Sequence, residues 1–162
     1  MENLWAPWRM DYIKSDKSKE CIFCTAPQAN DDMGRKLLYR GKLSFVIINI
    51  YPYSNGHLMV SPYRHLACLT DLTAEELAEI GLLTQKSMEI LRQSYHPTGF
   101  NVGYNIGKSG GAGFEEHIHS HIVPRWTGDT NFMPVLAETK VHPEHIEATF
   151  QRLYPIFQEL KI

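Results

Sequence analysis

Short apolar runs separated by turn residues fill the chain between Lys36 and Tyr63. "KLLYR", "LSFVIINI" and "HLMVSPY" are rich in β-branched and aromatic side chains and too short for helices, so the pattern predicts three strands. The last two are separated by "YPYSNG", where Pro52 and Asn55-Gly56 mark a turn. From Thr73 to Tyr95 the apolar spacing becomes helical. Leu77, Ile80, Met88, Leu91 and Tyr95 fall on one stripe, with Gly81 and Thr84 leaving room for a close neighbour. Thr73 and Glu76 have the spacing of a capping box, and Pro97 ends the helix.

Two further strands follow, "FNVGYNIG" and one within "EEHIHSHIVPRW", joined by the loop Lys108 to Phe114. A last helix is expected to begin at Pro143 or Glu144 and to turn Ile146, Phe150, Leu153, Phe157 and Leu160 inward, with a kink at Pro155. Strands grouped around one long helix predict an α+β fold with an antiparallel sheet of about five strands, not alternating βαβ units. The chain of 162 residues reads as a single domain, with an N-terminal arm over 1–20 and a C-terminal extension over about 127–162.

Charge narrows the partners. A net charge of −2 gives no electrostatic footprint for nucleic acid or an anionic membrane, while leaving room for a small anion held locally. The opening "MENLWAPWRM" lacks the apolar core of a signal peptide. Three cysteines, Cys21, Cys24 and Cys68, argue against a disulfide framework and for a reducing, cytoplasmic setting.

The candidate chemistry starts at His117, His119 and His121, every second residue in "HIHSH". A strand would turn all three to one face, where they could bind a metal, act on a phosphate, or face solvent. The outer two lie about 13 Å apart along a strand, while a zinc–nitrogen bond is about 2 Å, so one ion cannot comfortably take all three. Their roles therefore divide. A neutral imidazole is a nucleophile when one ring nitrogen is bare and the other donates to a fixed acceptor, and the central His119 is the natural choice.

"GKSGGAG" invites comparison with a Walker A loop, but only three residues separate Gly103 from Gly107, one too few, and a strand follows where that motif needs a helix. Gly110, Gly111 and Gly113 still let backbone approach an anion closely. "CIFC" has the gap that lets Cys21 and Cys24 reach one ion, with His65 and His117 as the best further ligands. Ordinary packing is an equal reading for His65. A redox pair would want a helix starting at the cysteines, which the sequence does not suggest. Cys68 reads as a buried small residue.

Together these segments resemble the histidine triad superfamily of nucleotide-binding proteins. The signature is "HIHSHIV", with Ser120 as a polar departure; "FVIINIYPYSNGHLMVSPYRH" and "NIGKSGGAG" extend the likeness. "LWAPWRMDYI" and "PRWTGDTNFMPV" are most similar to the branch containing diadenosine tetraphosphate phosphorylases. The resemblance implies a homodimer that transfers a nucleoside monophosphate through a covalent histidine intermediate, from a dinucleoside polyphosphate or adenylylated compound. It places His119 as the nucleophile, His121 on the α-phosphate oxygens and His57 behind the cluster. It further implies Asn49 on the ribose, Ile48 and Ile50 on the base, and Asn105 with the backbone of Gly111, Ala112 and Gly113 on phosphate. A structural zinc on Cys21, Cys24, His65 and His117 completes the implied site.

Gly113 departs from members with Ser, Thr or Gln nearby, so Lys108, Ser109 or water would have to serve the leaving group. Two alternatives stay open: a hydrolase with a catalytic zinc on His117 and His119, and a purine nucleotide-binding module with little turnover. Glu115 and Glu116 read as solvated edge residues. Trp5, Trp8 and Trp126 suit either a dimer seam, the rim of a nucleotide pocket, or ordinary packing.

Overall fold

Every residue of the second and third strands is buried, because their sheet is covered on both faces. In the computed structural model, which describes residues 20–129 and 144–162, five antiparallel strands are ordered β1-β2-β3-β5-β4. They are β1 Leu37–Arg40, β2 Ser44–Ile48, β3 Leu58–Pro62, β4 Gly99–Tyr104 and β5 Ser120–Arg125. Helices α1 (Ile22–Gln28), α2 (Asp32–Arg35), α3 (Ala74–Tyr95) and α4 (Ile146–Gln158), with 3₁₀ turns at Leu69–Asp71 and Lys108–Gly110, complete the described elements. The expected α+β sheet is present. The expectations for Trp5, Trp8 and most of the terminal arm fall outside the described residues, as does much of the C-terminal extension.

Strand alternation divides the interior in two. Val46, Ile48, Leu58, Val60 and Ile122 face α3 and α4, packing with Ile80, Leu83, Leu91, Phe150, Leu153 and Phe157. Phe45, Ile47 and Met59 face the other way, against Phe23 and Ala26 of α1. Each fully buried leucine or phenylalanine contributes about 1.5–3 kcal/mol relative to exposure.

The capping box on α3 is formed as expected. Glu76 N–H donates to Thr73 Oγ1 at 3.2 Å, and Thr73 N–H donates to the Glu76 carboxylate at 2.8 Å. The buried stripe differs from the expected one: Leu77 is exposed, while Leu83 and Ile90 turn inward. Gly81 faces open space, so it admits no close neighbour. The last helix starts after His145, two or three residues later than expected, and runs through Pro155 to Gln158. Proline's missing donor is tolerated there on an exposed face.

One turn sets up the site. Gly56 has φ +69° and its position for a Cβ lies 3.0 Å from Leu91 Cδ2, so the backbone conformation and the packing both favour glycine. Ser54 Oγ donates to Pro124 O at 2.7 Å and ties the turn to β5. His57 follows, fully buried, at the entrance to β3.

Candidate active site and metal cluster

The histidine segment is only partly a strand. β5 begins at Ser120, so His117 and His119 precede it. The peptide of Ile118 is held differently: its N–H donates to Leu66 O, and its carbonyl accepts from Ser61 Oγ at 3.1 Å. The extended path nevertheless keeps the alternation. Ile118 and Ile122 enter the helix-facing core, and His117, His119 and His121 emerge on the opposite face.

Backbone groups assign each ring its tautomer. His119 Nδ1 lies 2.8 Å from His117 O, which can only accept, so Nδ1 carries the proton and Nε2 is bare. His117 Nε2 lies 3.0 Å from Pro62 O, leaving its Nδ1 bare. His57 has the opposite arrangement to His119. Its Nδ1 accepts from the Tyr53 amide at 3.0 Å, so Nε2 carries the proton and donates to His121 Nδ1, also at 3.0 Å. His121 is then left with Nε2–H as an outward donor; Asn105 Nδ2, 3.4 Å away, is also a donor, so the two N–H groups face a common acceptor position and do not bond to each other.

Burial pushes His119 below the ordinary histidine range, although its hydrogen bond to the His117 carbonyl pulls the other way. The neutral ring is therefore the form present near neutral pH. The rings are closely packed: His119 and His121 meet edge to face at 4.8 Å, and Tyr53 stacks on His57 at 4.8 Å.

Cys21, Cys24, His65 and His117 converge, with their ligand atoms all within 4.8 Å of one another. Cys21 Sγ is 3.2 Å and Cys24 Sγ 3.6 Å from His117 Nδ1, and Cys24 Sγ is 3.4 Å from His65 Nδ1. A tetrahedral zinc with ordinary bond lengths would separate sulfur from nitrogen by about 3.5 Å, so the donor set fits such an ion. Burial pushes the Cys21 thiol up to about 11 and, ahead of the neighbouring histidines, pushes His117 down to about 4. A divalent ion here would meet a neutral imidazole and would displace thiol protons. His65 is exposed, which argues against its being merely a packed core residue.

The cysteine pair does start a helix, contrary to the sequence expectation. Cys21 is the N-cap of α1, a seven-residue helix that buries Phe23 and Ala26. Both thiols are free and face the two histidines, an arrangement of ligands more than of a redox pair.

Other expected residues are placed unevenly. Asn49 is half-buried; its Oδ1 accepts from the Tyr51 amide at 2.9 Å, and its Nδ2 is 3.4 Å from His57 Nδ1. Ile50 is half exposed beside it. Ile48 is buried in the helix-facing core, so the strand's alternation turns it away from a base on the histidine face. Two loop amides point inward: Gly111 N–H donates to Lys108 O at 3.0 Å and Ala112 N–H to Gly107 O at 3.3 Å. An anion would compete with those bonds, which shifts weight to Gly113 and Asn105.

Glu115 and Glu116 are exposed, in a turn and not at a strand edge. Cys68 is half-buried, taking a hydrogen bond from Thr70 Oγ1 at 3.1 Å. Trp126 is partly buried and donates to Tyr95 O at 3.2 Å. Sequence reasoning missed Phe23 and Tyr53, the aromatic rings against His119 and His57. The i, i+3 pair Phe23 and Ala26 was the available signal for the first.

A family profile described as the HIT domain matches residues 31–128. The chain is 41% identical over 158 residues to the AP-4-A phosphorylase of Mycobacterium tuberculosis, covering 92% of this chain and 80% of that one. It is 28% identical over 132 residues to the bis(5'-adenosyl)-triphosphatase of Dictyostelium discoideum, covering 78% of this chain and 88% of that one. A solved Zn-bound histidine triad family protein from Mycobacterium smegmatis superposes with a TM-score of 0.67 at 26% identity, covering 86% and 94% of the two chains. With its triad, its sheet and a profile match spanning most of its length, the chain belongs to the histidine triad (HIT) family.

Proposed function

We propose that the protein is a nucleotidyl hydrolase or transferase that cleaves dinucleoside polyphosphates, such as diadenosine tetraphosphate, or adenylylated compounds. The observation that carries this reading is the bond from His119 Nδ1 to His117 O, which leaves Nε2 bare beside the outward N–H of His121. The Nε2 lone pair forms a bond to the α-phosphorus while the phosphorus–bridging-oxygen bond breaks, and the departing phosphate chain keeps that electron pair. In the second step an oxygen of water or inorganic phosphate attacks phosphorus. The phosphorus–nitrogen bond breaks and returns its pair to Nε2; with water as acceptor, a proton passes to solvent.

His121 Nε2–H and Asn105 would hold α-phosphate oxygens, with Gly113 offering backbone. Asn49 would meet the ribose and Ile50 the base. Cys21, Cys24, His65 and His117 would hold a structural zinc, which when bound supplies cross-linking and no step of the reaction. The catalytic-zinc alternative is disfavoured because His119 is outside the cluster and its Nδ1 is held by a carbonyl.

The proposed partner is a nucleotide. A homodimer is supported by β4, an edge strand carrying exposed Val102, with exposed Ile106 just beyond it. Free cysteines fit a cytoplasmic setting. Among the described residues no helix is long and apolar enough to cross a membrane.

The test is a covalent trap. Protein incubated with adenylyl-labelled diadenosine tetraphosphate and quenched in alkali should retain label, and His119→Ala should retain none. Tight nucleotide binding with no turnover would instead favour a binding module. Parallel assays with and without phosphate identify the acceptor.

A further inference from the structure

A histidine held by one hydrogen bond is not yet aimed. Rotation about the Cβ–Cγ bond of imidazole is soft, because this torsion joins sp³ and sp² atoms and has broad wells. The bond from His119 Nδ1 to His117 O, 2.8 Å long, restrains one point of the ring. The plane of the ring needs a second restraint, and Phe23 lies where one is required. Its ring stacks on His119 with centroids 4.5 Å apart and planes 24° from parallel. His121 meets His119 edge to face at 4.8 Å and 74°.

Phe23 is itself immobilised. It is 1% exposed and packs with Ala26, Leu37, Phe45, Ile47 and Met59. Phe114, just past the glycine loop, meets it edge-on at 6.1 Å. It also lies between Cys21 and Cys24, so the turn that carries the thiols delivers the ring.

We propose that Phe23 is a positioning residue for His119, holding the plane of the imidazole so that Nε2 points at the phosphorus. This rests on the reading of His119 as the nucleophile. Phe23 touches the nucleophile and takes no part in bond making. Displacing reacting atoms by about 1 Å can cost on the order of a hundredfold in rate, so loosening one ring torsion is expected to cost about tenfold.

The test uses the metal-loaded protein with labelled diadenosine tetraphosphate as substrate and AMP as binding probe. Phe23→Leu should form the trapped nucleotidyl-protein about tenfold more slowly in a single turnover. Its AMP dissociation constant and zinc content should stay within about threefold of the parent's, so that kcat falls and KM does not rise. Phe45→Leu removes a similar ring from the same cluster, where it faces Tyr63. It should lower the melting temperature comparably and leave the trapping rate within about threefold.

Phe23→Met has about the volume of leucine but is unbranched, so it adapts to the gap while losing the flat face, and it decides the matter if the leucine variant does not fold. A parent-like trapping rate in the folded Phe23 variants, or an equal slowing in Phe45→Leu, would overturn the proposal. Label still trapped by His119→Ala would instead overturn the assignment of the nucleophile.

Discussion

His57 Nε2 lies 3.0 Å from His121 Nδ1, and the direction of that hydrogen bond is fixed one residue further back. The Tyr53 amide donates to His57 Nδ1, which leaves His57 only Nε2–H to offer and forces His121 to present its own Nε2–H outward. A main-chain amide thus sets the polarity of a side-chain donor two rings away. Replacing His57 by alanine would free His121 to adopt either tautomer and to turn. The expected loss is about 1–2 kcal/mol of transition-state stabilisation, or about tenfold in kcat, together with a lower melting temperature from the vacated buried position. Single-turnover rates check this, and a parent-like kcat would break the link between the two rings.

The cluster of Cys21, Cys24, His65 and His117 makes a separate prediction. Cys21 caps α1 and lies 3.2 Å from His117, so the ion would join the helix on one face of the sheet to the segment carrying His119. Cys21→Ser should lose most of the bound metal. A ligand present at a hundredfold over its dissociation constant stabilises by about 2.7 kcal/mol, so the melting temperature should fall by about 5–10 °C. Metal analysis and thermal unfolding of parent and variant are the measurements. Equal zinc content would remove Cys21 from the cluster.

Much of this arrangement was legible along the chain, and the failures share a cause. β2 and β3 and the Thr73–Glu76 cap could be read because short-range chemistry alone determines them. Of the cluster formed by Cys21, Cys24, His65 and His117, the two-residue gap between the cysteines is the part visible in the sequence. The start of β5 could not be read, because His117 and His119 leave the ladder through bonds from Ile118 to Leu66 and Ser61, which are distant in sequence. α1 was hidden by its seven-residue length and internal Pro27. The resemblance puts both Ile48 and Ile50 on the base, but strand alternation turns Ile48 into the helix-facing core, on the other side of the sheet from the histidines. On α3, Leu77 looked like a core position and is exposed, while Glu76 is buried because Arg64 reaches it from the end of β3.

That last pair gives a pH-dependent prediction. Arg64 Nη2 and Nε donate to the Glu76 carboxylate at 2.6 and 2.7 Å, and this pairing holds Glu76 below the usual carboxylate range despite its burial. A folded-state pKa below the unfolded value, about 4.3, means the stabilisation is present above that pH and lost as pH falls through the folded value. Glu76→Gln should therefore be less stable than the parent by about 1–2 kcal/mol at pH 7, a figure reduced by the half-exposed Arg64. The gap should narrow towards pH 3. Denaturant midpoints at both pH values check it, and a gap independent of pH would show that the ion pair contributes nothing.

Asn49 offers a test that separates scaffold from substrate. Its Oδ1 already accepts from the Tyr51 amide, so truncation could weaken nucleotide binding by loosening the turn instead of by losing a ribose contact. Asn49→Ala is expected to weaken AMP binding by about 1–2 kcal/mol, close to tenfold. Asn49→Asp keeps an acceptor for Tyr51 and for the ribose hydroxyls, and should bind within about threefold of the parent. The decisive comparison uses 2',3'-dideoxy-AMP. If Asn49 meets the ribose, removing the hydroxyls should weaken the parent and leave Asn49→Ala almost unchanged, because the two losses report one contact. Additive losses would place the ribose elsewhere and assign Asn49 to the turn alone.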